Sequence, residues 1–115
     1  MQSLEHNRAS FAYNKVLSVI NHAERKKYKS YIVNLGTLIL TNGLLSTVAF
    51  YSKETIHEQV IGWLKERLIK ENLINNNQNF ANAIANLPID RYILVTNASL
   101  SIAHWLKRFA ESILG

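Results

Sequence analysis

The sequence predicts an all-α protein, a compact bundle of about five or six helices. Only four glycines and one proline punctuate 115 residues, too few for a turn-rich β fold. Apolar side chains recur every three or four residues along most of the chain, which is the helical period. Apolar residues make up 48% of the total, enough to build a core and to argue against global disorder. No repeat, linker or composition shift divides the chain, so residues 1–115 are expected to form a single helical domain.

Ser3 is placed to cap the first helix, whose body is expected from Arg8 to Lys27. Ala9, Ala12, Val16, Ile20 and Ala23 form its apolar stripe, widened by Phe11, Tyr13, Leu17 and Val19. The segment from Ser30 to Ser52 reads two ways. Asn42-Gly43 between apolar runs is a hairpin signal, but it also suits a helix that ends on a glycine with positive φ. Ile32, Leu35 and Ile39, then Leu45, Val48 and Ala49, keep helical spacing on both sides. Thr55 to Asn72 is a plainer helix, with Ile56, Val60, Leu64 and Leu68 four apart and Trp63 broadening the face. Within it Glu66 and Lys70 are spaced for an ion pair, and Gly62 costs on the order of 1 kcal/mol against alanine. Asn75 to Asn79 is an exposed loop, followed by a short helix from Asn79 to Leu87 that Pro88 stops. The last helix runs from Ile89 to Leu114 on Tyr92, Val95, Ala98, Ile102, Trp105, Phe109 and Ile113.

The charge balance narrows function. Thirteen Lys and Arg against eight Asp and Glu give +5, which favours a polyanion or an acidic protein partner. With no cysteine, disulfides, thiolate metal sites and cysteine nucleophiles are all excluded. The opening residues include Glu5, His6, Asn7 and Arg8 instead of an apolar signal run, and no apolar stretch reaches the roughly 20 residues of a spanning helix. A soluble, cytoplasmic protein without membrane contact is expected.

Catalytic patterns are absent: there is no glycine-rich phosphate loop, nucleophile elbow or calcium loop. Glu54, His57 and Glu58 share helical spacing and motivate a metal-dependent hydrolase, yet acids in a first turn are equally explained by the helix dipole. Ser101, His104 and Glu111 share one face of the last helix, but a helix surface spreads them along a ridge instead of converging them as a triad requires. No catalytic residue, cofactor or metal is assigned. Basic residues say more. Arg8, Lys15, His22 and Lys26 would fall nearly along one line of a first helix that reaches Lys27, with Arg25, Lys26, Lys27 and Lys29 crowding its end. Such a stripe can follow a phosphate backbone, although cations in a last turn also complement the dipole. Lys53, Lys65, Lys107 and Arg108 form a second patch if the helices carrying them meet. Trp63 and Trp105, each followed by Leu-Lys, fall on apolar stripes and are assigned to packing or to a protein interface.

The chain resembles the small helical subunit of type III-B CRISPR effector complexes, the Cmr complexes. The resemblance is carried by Tyr31 to Leu44, by Ala49-Phe50-Tyr51-Ser52-Lys53, by the Trp63-Leu64 helix and by Trp105-Leu106-Lys107-Arg108-Phe109-Ala110-Glu111. An alanine-bearing opening helix from Arg8 to Tyr13 also fits, and Gly36 departs from a proline common in the family. The resemblance implies that Asn42-Gly43 joins two helices. It further implies a non-catalytic structural subunit of an antiviral complex. Such subunits stack on further copies of themselves, beside guide-binding backbone subunits and a large polymerase-like subunit. They touch guide and target RNA through the backbone, and Arg8, Lys15, Lys26, Lys53, Lys107 and Arg108 are the expected contacts. The alternative is a helix-turn-helix regulator of DNA, motivated by the helix pair around Asn42-Gly43.

Overall fold

A computed structural model of the chain describes residues 3–115. Six helices follow in order: α1 (Leu4–Leu17), α2 (Arg25–Asn42), α3 (Leu44–Phe50), α4 (Thr55–Lys70), α5 (Phe80–Ala85) and α6 (Ile89–Ile113). There is no strand among the described residues. Ser3 caps α1, its hydroxyl accepting the His6 amide at 3.1 Å.

The first helix is shorter than its pattern suggests, ending at Leu17 instead of Lys27. Beyond it the chain descends through single turns, with Val19, Ile20 and His22 amides donating to Val16, Leu17 and Val19 carbonyls. Side chains reinforce the break. The Ser18 hydroxyl donates to the Lys15 carbonyl, and the His22 ring accepts the Glu24 amide at 3.0 Å. Val19 is buried by this turn, so tertiary packing overrides the helical spacing of Ile20 and Ala23.

Asn42-Gly43 is a helix junction, not a hairpin. Gly43 has φ 88° and ψ 157°, a backbone region in practice reserved for glycine. Thr55–Lys70 closes two residues before Asn72, which adopts φ 60° as the left-handed residue of a Schellman turn. There the Leu73 amide reaches the Leu68 carbonyl and the Asn72 amide the Ile69 carbonyl, at 3.0 and 2.9 Å. The asparagine-rich loop 75–79 is exposed, and Asn79 caps α5 through the Asn82 amide.

α6 is the axis of the bundle. α2 crosses it antiparallel, with Gly43 against the Tyr92 hydroxyl and Gly36 against Ala103, where an added Cβ would lie 3.6 Å from the Ala103 methyl. α1 runs parallel to α6, since Leu4 shares a groove with Leu94 while Tyr13 meets Phe109 at 5.4 Å. α4 lies antiparallel to α1, tied by Arg8 to Glu71 and by Lys15 to Glu66. Ile32, Leu35, Leu64, Leu68, Val95, Ile102 and Leu106 fill the core between these helices. At the α3–α2 contact the buried Tyr51 hydroxyl donates to the Tyr31 carbonyl at 2.7 Å, and burial raises its pKa to about 12.

This topology gathers the C-terminal ends of α1 and α6 with the N-terminal ends of α2 and α4. The opposite end holds the N-termini of α1 and α6 and the C-terminus of α2. None of the helices is long and apolar enough to cross a membrane.

Candidate nucleic-acid interface

The first of those ends carries seven cations: Arg25, Lys26, Lys27, Lys29, Lys53, Lys107 and Arg108. Glu24, Glu54, Glu58 and Glu111 are the acids there, leaving an excess of three positive charges. Lys26, Lys107 and Arg108 are exposed and have no ion-pair partner among the described residues. Lys53 lies over the half-exposed Phe50 ring at 6.0 Å, beside Glu54, whose carboxylate accepts the Tyr31 hydroxyl at 3.1 Å. Lys27 pairs loosely with Glu24 at 3.4 Å, and Arg25 donates to the Ile20 carbonyl.

The shortened α1 changes what this cluster means. Arg25 to Lys29 stand in the first two turns of α2, at the positive end of its dipole, with no acid in that first turn. Capping electrostatics therefore oppose the cluster instead of explaining it. The line Arg8, Lys15, His22, Lys26 does not exist on one helix, because the turn after Leu17 intervenes.

Two of the expected RNA contacts have structural partners. Arg8 is mostly buried and forms a two-pronged pair with Glu71, at 2.9 Å from Nε and 2.6 Å from Nη2. Arg67 joins the same carboxylate at 2.8 Å. Burial raises the Glu71 carboxyl pKa, but the hydrogen bonds and charges of Arg8 and Arg67 outweigh it and hold the group below its usual range. Lys15 pairs with Glu66 at 2.9 Å, and Lys70 reaches the same carboxylate at 3.4 Å, as its spacing predicts. Lys65 donates to the Gln78 carbonyl and steadies the asparagine-rich loop.

The tryptophans part company. Trp63 is 6% exposed and stacks on Tyr28 at 6.0 Å, so it belongs to the core and offers little to a partner. Trp105 is half-buried at the α1–α6 seam, in a row with Phe109 and Tyr13, and its indole N–H is buried without a partner among the described residues.

The other motifs do not assemble. His57 stacks on Tyr31 at 3.6 Å, and its Nδ1 is 3.7 Å from Glu54. No group of three His, Cys, Asp or Glu that could hold a metal occurs among the described residues. Nor does α3 suit a major groove. It has seven residues, buries Leu44, Thr47 and Val48, and carries no cation. The helix-turn-helix alternative therefore lacks a recognition helix.

Sequence spacing misses the apolar end. Leu4, Leu40, Ile89, Ile93 and Leu94 are about half exposed or more, and all five lie at the end opposite the cations. They fall off the core stripes, and that is the signal that could have marked them.

Comparison with known proteins agrees with this architecture. Residues 4–113 match the family model described as CRISPR-associated protein (Cas_Cmr5). The chain is 32% identical to the CRISPR system Cmr subunit Cmr5 of Thermotoga maritima, an alignment covering 100% of this chain and 88% of that protein. A crystal structure of a CRISPR-associated Cmr5 family protein from Thermus thermophilus has the same fold, with a TM-score of 0.85 at 24% identity over 99% of this chain and 100% of that one. With the family model spanning nearly all of it, the chain belongs to the Cmr5 family of CRISPR-associated proteins.

Proposed function

We propose that the chain is a non-catalytic structural subunit of a cytoplasmic Cmr effector, lining the channel in which guide and target RNA pair. Its family makes it a small subunit of the Cmr CRISPR complex. The finer reading rests on one observation above all: unpaired cations gather at one end of the bundle, against the α2 dipole. In RNA-guided recognition base pairing reads sequence, so a protein beside the duplex needs only cations and shape. Lys26, Lys53, Lys107 and Arg108 fill that role. Arg8 and Lys15 lie away from this end and hold α1 to α4 through Glu71 and Glu66. The exposed apolar end, together with the Trp105 edge, suits stacking on further copies and on the neighbouring subunits.

The test is joint charge reversal of Lys26, Lys107 and Arg108 in the reconstituted complex. Target-RNA retention is expected to weaken by about tenfold or more at low salt. The slope of log affinity against log salt should flatten by about 0.7 per lost phosphate contact. Retention unchanged across salt would remove this end from the RNA channel.

A further inference from the structure

We propose that the groove between α1 and α4 binds a phosphate group. This reading does not rest on the RNA-facing role of the basic end, because the groove uses other residues. Its floor is Phe11, whose ring is 8% exposed. Three cations crowd that ring: Lys15 Nζ at 5.3 Å, Arg67 Cζ at 5.7 Å and Lys70 Nζ at 5.3 Å. These contacts hold cations from two helices around one ring.

The charge count points the same way. Four cations, Arg8, Lys15, Arg67 and Lys70, share two carboxylates, Glu66 and Glu71. Two positive charges are left in excess. Arg67 commits Nε to Glu71, and its two terminal nitrogens have no hydrogen bond to the described residues and stay open to water in the groove. Asn7, Ser10 and Asn14 line the α1 wall of the same groove and add amide and hydroxyl groups. The opening, about 420 Å³, has room for a phosphate and its first waters. A dianion there would neutralise the excess and replace water on the Arg67 terminal nitrogens, which is how guanidinium and ammonium groups recognise phosphate. The ring itself is too buried to stack on a base, so the ligand is a phosphate and not a nucleobase.

Titration of the full chain with inorganic phosphate, at constant ionic strength balanced with chloride, tests this by NMR. Saturable shifts are expected at the amides of Asn7, Ser10 and Asn14, with affinity falling at least tenfold in Lys70→Gln and unchanged in Arg91→Gln, an exposed cation at the apolar end. The Lys70 side chain is 56% exposed, so that variant should fold, and circular dichroism checks it. Asn14→Ala, also exposed, provides a second variant with a smaller loss. Shifts that do not saturate, or full affinity in Lys70→Gln, would overturn the site. Competition by a short RNA with and without a 5′-phosphate identifies the source. Equal displacement indicates the phosphodiester backbone, displacement only by the phosphorylated RNA indicates a terminal phosphate, and no displacement indicates free phosphate.

Discussion

The two ends of the bundle differ in what they expose and in what explains it. At one end, seven cations meet four acids, and only Lys27 has an ion-pair partner among the described residues. At the other, Leu4, Leu40, Ile89, Ile93 and Leu94 face solvent around Glu5, Asp90 and Arg91. Neither end helps the isolated chain fold. The α2 cations oppose their own helix dipole, and the apolar side chains overhang a core stripe that begins only at Val95. Features that cost an isolated domain stability are those to assign to partners, and here the costs differ in kind. A charged end suits a polyanion, and an apolar end suits protein. One helix bundle can in this way hold two surfaces apart by roughly the length of α6.

The largest expected effect tests whether the ends are held by a common element. Glu71 receives both Arg8 of α1 and Arg67 of α4 while itself only 7% exposed. Glu71→Gln strands two poorly solvated guanidinium groups and should destabilise the fold by about 3 kcal/mol in denaturant unfolding. Both surfaces would then weaken together. The same carboxylate sets a pH dependence. Its folded-state pKa lies below its unfolded value, so its stabilisation is complete above the ordinary glutamate range and lost as pH falls through the lowered value. Glu66, lowered by Lys15 and Lys70 against the opposing effect of burial, adds in the same direction. Wild-type unfolding free energy should fall below pH 4.5, and Glu71→Gln should flatten that fall.

Ile93→Asp with Leu94→Asp separates the ends. Both residues lie off the buried stripe of α6, so folding stability should change little. Association with neighbouring subunits or copies should weaken by on the order of 2 kcal/mol, about 30-fold, read by sedimentation of the reconstituted assembly. The salt slope of RNA retention should not move. Unimpaired assembly would show that this end is not an interface, whereas equal loss of assembly and salt slope would break the division of labour.

How far the sequence reveals this depends on whether packing or period governs each residue. The stripes of α2, α4 and α6 are readable because their apolar residues do reach the core: Ile32, Leu35 and Ile39, then Val60, Leu64 and Leu68, then Val95, Ala98 and Ile102. The end of α1 is not, because Val19 is buried by a turn and not by a helix face, which no local period reports. Moving that end also inverts the dipole argument for Arg25 to Lys29. Among the site residues, Lys26, Lys53, Lys107 and Arg108 can be nominated from type and spacing. The pairing of Arg8 with Glu71 cannot, since it joins positions 63 residues apart. Trp63 and Trp105 share a local motif, yet only the helix contacts bury one and leave the other at a seam.

The smallest expected effect concerns the flank between the ends. Gly62 is exposed within α4, and a Cβ built there meets nothing within 4 Å. Close packing inside the chain therefore does not require this glycine, unlike Gly43, whose φ of 88° does. Gly62→Ala should stabilise the isolated protein by up to about 1 kcal/mol, or roughly 4 °C in Tm, because alanine loses less backbone freedom on helix formation. Neither surface should respond if the flank faces solvent in the complex. A variant that is more stable alone but assembles less well would mean that another subunit approaches the α4 backbone at Gly62. In that case a third surface would lie between the two ends, and the contrast between them would no longer account for all of the chain's contacts.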